Sequence, residues 1–202
     1  MKRTIFSLLV IFAALSASAQ MSPATILQNA ISTLDADNGI SATVKVSSGQ
    51  ESDTGTLYMS GSQFSMIFDD IKVWYNGRTM WSYSKENREV NITEPTLEEL
   101  QVTSPYAIVQ SAFKSYNVSM LKAAAGIYAL RLTPKVDNDI REIVLTLNRH
   151  DYRIRGIKIV TSDGNVYKTD ISNYKAKNKF AKSQFVFDKK AVPAKTIIND
   201  LR

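Results

Sequence analysis

Residues 40–83 read ISATVKVSSGQESDTGTLYMSGSQFSMIFDDIKVWYNGRTMWSY. Apolar and polar residues alternate through this stretch, and a period of two is typical of β-strands with one buried face. The first strand begins at Ile40, and turns at 48–51 and 60–62 separate it from two more strands. Successive strands joined by short turns predict an antiparallel meander.

The same stretch contains Asn76-Gly77, the preferred pair for a two-residue type I′ hairpin loop. Such a loop sets the register of the flanking strands. The predicted cross-strand pairs are Tyr75–Arg78, Trp74–Thr79, Val73–Met80 and Lys72–Trp81. Both faces of this hairpin would then carry large apolar groups, so we expect apolar material against each side.

Two helical segments interrupt the strand pattern. Ser22-Pro23 and Ser104-Pro105 each place an N-cap residue before a proline at the first helical position. The first predicted helix ends before 37–39, and the second helical segment covers 95–113. Helical spacing gives the first helix one apolar stripe, formed by Ile26, Leu27, Ala30, Ile31 and Leu34.

Strands return in the second half of the chain. They are predicted at 116–121, 128–134, 142–148, 154–161 and 166–176, before a closing short strand and an irregular tail. No repeat or linker is visible, so we expect a single, mainly β domain over residues 20–202, with helices on a curved sheet.

The N-terminus predicts a cleaved signal peptide over residues 1–19. Lys2 and Arg3 precede an apolar run at 5–15, and Ala17-Ser18-Ala19 fits a small-residue cleavage site. That run is about half the length of a membrane-spanning helix. We therefore expect an exported, periplasmic protein.

Composition limits the chemistry. The 202 residues include no Cys, which rules out disulfides, thiolate metal sites and a lipid-modified cysteine of its own. The formal charge is +6, and lysines concentrate at 175–190. We expect no nucleic-acid partner for an exported protein, and interpret these lysines as a solvated face or as a surface for anionic lipid or an acidic partner.

Catalytic signatures are sparse. The one histidine, His150, lies in a predicted turn, and neither a nucleophile elbow, a phosphate-binding loop nor a dinucleotide fingerprint occurs. We predict no metal site, no cofactor and no enzymatic activity. A secreted hydrolase with paired carboxylates stays the alternative of a different class, although no pair stands out among 19 acidic residues.

Large flexible apolar side chains are concentrated in one short region. Rings and thioethers can repack around ligands of differing shape, which suits an adaptable cavity, whereas periodicity alone fits a plain hydrophobic core at least as well. The two helices that could cover the concave side of a curved sheet favour the cavity. The candidate cavity residues are Met59, Phe64, Met66, Phe68, Trp74, Met80, Trp81 and Tyr83. The candidate lid residues on the two helices are Ile26, Leu27, Ile31, Tyr106, Ile108 and Val109.

Several short motifs together resemble one family. They are Gly55-Thr56-Leu57-Tyr58-Met59, Gln63-Phe64, the segment 76–83, Leu132-Thr133-Pro134-Lys135, Phe185-Val186-Phe187 and Val192-Pro193. Their order, after a signal peptide and first helix, resembles the LolA family of periplasmic lipoprotein carriers. In one respect the chain departs from that family: 60–64 reads Ser-Gly-Ser-Gln-Phe, without the arginine and proline of the R-P-x-x-F-like stretch that tunes release.

This resemblance implies an incomplete antiparallel β-barrel closed by a helical lid. It also implies that the protein shields the acyl chains of outer-membrane lipoproteins, receiving them from an inner-membrane exporter and passing them to an outer-membrane acceptor. We expect a monomer with transient membrane-surface contact. A carrier or sensor for another lipid or hydrophobic ligand is the alternative on the same fold.

Overall fold

The computed structural model describes residues 21–101 and 103–202, so the predicted signal peptide lies outside the described residues. The helices are α1 (Pro23–Asp37), α2 (Leu97–Gln101) and α3 (Pro105–Ser115). The strands are β1 (Ile40–Ser48), β2 (Glu51–Ser60), β3 (Gln63–Ile67), β4 (Ile71–Tyr75), β5 (Met80–Ser84), β6 (Glu89–Thr93), β7 (Tyr116–Leu121), β8 (Ile127–Pro134), β9 (Ile140–Asn148), β10 (Ile154–Thr161), β11 (Val166–Lys175) and β12 (Ile197–Asp200).

All of these strands belong to one curved sheet that does not close. Its order is β12-β6-β5-β4-β3-β2-β1-β11-β10-β9-β8-β7. β1 pairs antiparallel with both β2 and β11 and so joins the two halves of the chain, while β12 runs parallel to β6. The predicted class, a mainly β incomplete barrel with helices, is confirmed.

Capping fixes where the helices begin. Ser22 Oγ accepts a hydrogen bond from the Thr25 N–H at 3.1 Å, as the Ser-Pro signature predicts. The predicted segment 95–113 divides into α2 and α3. Thr96 and Glu99 form a reciprocal capping box at the start of α2, and Ser104 caps α3 through the Ala107 N–H.

The predicted register of the hairpin that joins β4 and β5 is wrong. Tyr75 pairs with Met80 and Trp74 pairs with Trp81, so the loop spans four residues, 76–79. The Asn76 side chain accepts hydrogen bonds from the Arg78 and Thr79 N–H groups at 3.0 and 2.8 Å. This Asx turn stabilises a longer loop than type I′, and of its two central residues only Gly77 has positive φ.

Apolar material covers both faces of this hairpin, as expected. The inner, concave face carries the main core, on which α1 and α3 pack. On the outer face, Trp74, Tyr83 and Val90 form the outer aromatic cluster, flanked by partly buried Trp81 and Ile92.

The C-terminal strap, residues 176–195, covers the outer aromatic cluster. Its Phe187 ring lies 5.5 Å from the Trp74 ring, centroid to centroid, and Phe185 is buried. Gln184 Nε2 donates to Ser65 Oγ at 3.2 Å, and Lys72 Nζ donates to the Ala191 carbonyl at 3.3 Å. The strap then leads into β12 at the β6 edge. Within the described ranges, every helix is too short or too polar to cross a membrane.

Candidate functional site: an apolar cavity under helix α3

An open cavity of about 600 Å³ lies on the inner face of the sheet, beside the N-terminal end of α3. This volume falls within the range of about 300–1,000 Å³ that small-molecule sites occupy. Its apolar lining comes from β1, β2, β3, β4, β10 and α3, and includes Val44, Leu57, Met66, Val73, Ile157 and Ile159. Residues far apart in sequence therefore build one apolar floor.

Strand register explains this lining. Leu57 pairs with Met66 in one inward row, and Val44 pairs with Gly55 on one side and with Ile171 on the other in the adjacent inward row. Gly55 leaves room in that row. A Cβ at this position would lie 2.5 Å from both the Ile67 carbonyl oxygen and the Phe68 ring, so only glycine fits beneath Phe68.

The helices close the inner face unequally. Beneath α1 only about 20 Å³ is left between Ala30, Leu34, Ile40 and Met59, so that half is packed like a core. α3 contributes Pro105 and Ile108 to the wall of the larger cavity. The hollow half of the sheet is therefore the one beside α3.

The structure divides the predicted cavity residues into three groups. Met66 and Phe68 line the cavity. Phe64 and Met59 are almost fully buried in the main core, and Met80 packs against it. The remaining three, Trp74, Trp81 and Tyr83, lie on the outer face in or beside the outer aromatic cluster.

Of the predicted lid residues, Ile108 lines the cavity. Ile26, Leu27 and Val109 are fully buried between their helices and the sheet, whereas Ile31 and Tyr106 are partly buried against the same core. Gln110 Nε2 on α3 donates to Asp35 Oδ1 on α1 at 3.2 Å, which links the two helices.

Sequence reasoning missed the polar mouth of the cavity. Glu51, Ser52, Asp53 and Asp70 line its opening, together with Thr103. The sequence could have indicated two of these residues. Glu51 and Asp53 lie an even number of positions before Leu57 and Met59, and this spacing places all four on one face of β2.

A second residue missed in the sequence is Arg153, which holds the C-terminal end of α1. Its Nε and Nη2 atoms donate to the two carboxylate oxygens of Asp37 at 2.7 and 3.1 Å. The guanidinium also lies 4.8 Å from the centre of the Tyr174 ring. Burial favours a raised pKa for Asp37, but the hydrogen bonds of Arg153 and Tyr174 and the arginine charge outweigh it and lower the pKa of that carboxyl.

Replacing Arg153 with methionine is expected to lower the free energy of unfolding by about 2 kcal/mol at pH 7. The loss is smaller than the 3–5 kcal/mol typical of a broken buried ion pair, because the arginine side chain is 34% exposed. Denaturant unfolding measures it, with the exposed neighbour substitution Arg155→Met as the matched control.

The loss of stability caused by Arg153→Met should depend on pH. Since folding lowers the pKa of Asp37, the stability that its carboxylate contributes is complete above the ordinary value of 3.8 and is lost as pH falls through the lower folded value. The difference between wild type and Arg153→Met should therefore shrink on acidification below about pH 4. An unchanged difference at low pH would contradict this role for the Arg153–Asp37 pair.

Within 21–101 and 103–202, no group of three or more His, Asp or Glu side chains is placed to hold a metal ion. His150 is exposed in the turn between β9 and β10.

Comparisons with known proteins agree with this architecture. No curated protein matches the chain. An uncharacterized conserved protein from Thermus thermophilus superposes with a TM-score of 0.58 at 13% identity, over 88% of this chain and 98% of that one. A DUF1329 family protein from Desulfovibrio piger gives 0.50 at 12% identity, over 86% and 100%. A LolA superfamily protein from Nitrosomonas europaea gives 0.47 at 11% identity, over 84% and 99%.

The likenesses to the Thermus thermophilus and Desulfovibrio piger proteins, at low identity, show a shared fold. The family model described as outer membrane lipoprotein carrier protein LolA matches residues 13–163, which is most of the chain. The match spans α1, the meander, both helices of the middle segment and the sheet through β10, and so includes most of the strands that build the cavity. The chain therefore belongs to the LolA family of outer membrane lipoprotein carrier proteins.

Proposed function

We propose that the protein is a periplasmic carrier that shields the acyl chains of lipoproteins during transport to the outer membrane. The observation that carries this proposal is the open cavity. Its floor is apolar, and the N-terminal end of α3 forms one of its walls. The chain acts as a binding protein and performs no chemistry of its own. Its mature form is one domain, residues 20–202, released by cleavage of the signal peptide.

The energetics of acyl chains require such a site. Burying a methylene group stabilises by about 0.8 kcal/mol, so one sixteen-carbon chain exposed to water costs on the order of 12 kcal/mol. Met66 offers a flexible thioether surface at the cavity, Phe68 an aromatic ring and Ile108 an aliphatic wall. An open, partly hollow site supplies apolar surface and still permits release.

The partners follow from the proposed transport. An inner-membrane lipoprotein exporter loads the carrier, and an outer-membrane acceptor receives the cargo from it. The carrier travels as a monomer. The exposed lysines of the C-terminal strap, including Lys189 and Lys190, are suited to transient contact with an anionic membrane surface. Nucleic acid is not a partner.

A second candidate, a periplasmic binding protein for another lipid or hydrophobic ligand, is favoured by one observation. The stretch 60–64 lacks the arginine and proline expected from the resemblance, and the arginine that holds α1 is Arg153, just before β10. An arginine that holds the helix from a different position is compatible with a different cargo. The identity of the ligand that the purified protein releases separates the two candidates.

Native mass spectrometry of the protein purified from a periplasmic extract tests the proposal. We expect a fraction of the molecules to carry an added mass, which denaturation releases as an acylated polypeptide. Release of a free lipid instead would favour the second candidate. A homogeneous ligand-free protein that also fails to bind synthetic acylated peptides would contradict both.

A further inference from the structure

The cavity is polarised between its floor and its mouth. Its floor is made of aliphatic and aromatic side chains, whereas three carboxylate residues, Glu51, Asp53 and Asp70, lie at the opening. Among the described residues that line the cavity, none is lysine, arginine or histidine. A ligand whose tail reaches the floor would therefore place its polar end beside lining residues whose only charges are negative.

Two of these carboxylates face inward because of the strand register. In the β1–β2 hairpin, Val46 pairs with Asp53 and Ser48 pairs with Glu51, and these pairs continue the inward row of Val44 and Gly55. Lys45 alternates to the other face of β1, opposite Asp170 of β11. The pleat of the sheet thus sends acidic groups into the mouth and the nearby lysine away from it.

Of the three carboxylates at the mouth, only Asp70 has a cationic partner among the described residues. Asp70 forms an exposed ion pair with Lys85 at 3.0 Å. Within 21–101 and 103–202, Glu51 and Asp53 form no ion pair. The N-terminal end of α3 offers few free donors, because Pro105 has no N–H and the Ser104 hydroxyl already accepts the Ala107 N–H.

The acidic mouth contrasts with the formal charge of the whole sequence, which is +6. A cleft lined by one sign of charge above low-dielectric walls concentrates the opposite ion. We propose that the cavity selects acyl amphiphiles whose head group next to the chain is cationic, such as a free amine, over those with an anionic head group. This selectivity rests on the proposed function, since it requires that the cavity holds an apolar tail.

The test compares three probes that share one alkyl chain: dodecylammonium, dodecanoate and neutral dodecyl maltoside, each below its micellar concentration. Isothermal titration calorimetry on the purified full chain gives the affinities at low ionic strength. We expect dodecylammonium to bind about tenfold more tightly than dodecanoate, because each exposed carboxylate contributes a few-fold. This ratio should fall towards one at about 1 M salt, where charges are screened within about 3 Å.

The double substitution Glu51→Gln with Asp53→Asn should abolish most of the preference for dodecylammonium over dodecanoate. Both side chains are exposed, so the fold should persist, and circular dichroism checks this. The matched control, Glu86→Gln with Asp170→Asn, removes the same charge from exposed positions that do not line the cavity and should keep the tenfold ratio. Equal affinities of the wild type for all three probes would overturn the selectivity alone, whereas failure of all three to bind would contradict the proposed function itself.

Discussion

Substituting Met66 with aspartate should reduce the affinity for an acyl chain by at least a hundredfold while leaving the protein folded. Met66 is partly buried and lines the cavity, beside Leu57 of the neighbouring strand. A carboxylate there would have to lose its water when an alkyl tail enters, and burying an unpaired charge costs several kcal/mol. Titration of the variant with dodecyl maltoside measures the loss.

The control for Met66→Asp is Val136→Asp, an apolar-to-acid change at a side chain that is 78% exposed, after β8 and away from the cavity lining. This control should bind as the wild type does. Phe64 is unsuitable for the same experiment, because it is 1% exposed in the main core and a charge there would unfold the protein. A folded Met66→Asp protein with unchanged affinity would place the acyl site elsewhere.

Truncating Trp74 to alanine should destabilise the protein by about 3–5 kcal/mol, the range found for large buried aromatic side chains. Trp74 is 6% exposed, and its ring contacts Phe187 of the C-terminal strap. Loss of that contact should also loosen the strap, so trypsin should cleave sooner at Lys189 and Lys190. Denaturant unfolding and timed proteolysis with mass mapping measure the two effects.

The matched control for Trp74→Ala is Trp81→Ala, on the same face but only partly buried, with an expected loss of about half as much. At temperatures where it stays folded, Trp74→Ala should bind dodecyl maltoside with wild-type affinity, since Trp74 lies on the face opposite the cavity. Loss of binding by a folded Trp74→Ala protein would connect the outer face to the ligand.

Met66 and Trp74 show that the sequence predicts the strands but not which face of the sheet lines the cavity. Alternation identified the strands and showed that Trp74 and Val73 lie on opposite faces, but it contains no information on which face is concave. The strap covers the outer face, and its Phe187, which contacts Trp74, is more than a hundred residues away in the chain. The sequence therefore grouped Trp74 with Met66, although the sheet separates them.

The sequence predicts those features correctly that depend only on neighbouring residues. The Ser-Pro pairs at 22–23 and 104–105 marked both helix starts, because a cap involves only neighbouring residues. Asn76-Gly77 correctly marked a turn but gave the wrong register, since the Asn76 side chain selected a different loop. The Arg153–Asp37 pair joins residues 116 apart and has no local signature.

Photo-crosslinking with a diazirine-labelled fatty acid, followed by peptide mapping, shows where an acyl chain binds. We predict that the adducts fall on Met66, Phe68 and Ile108, and that Met66→Asp greatly reduces their yield. Adducts confined to the outer aromatic cluster or the strap, with none on the cavity wall, would show that the cavity beside α3 is not the acyl site.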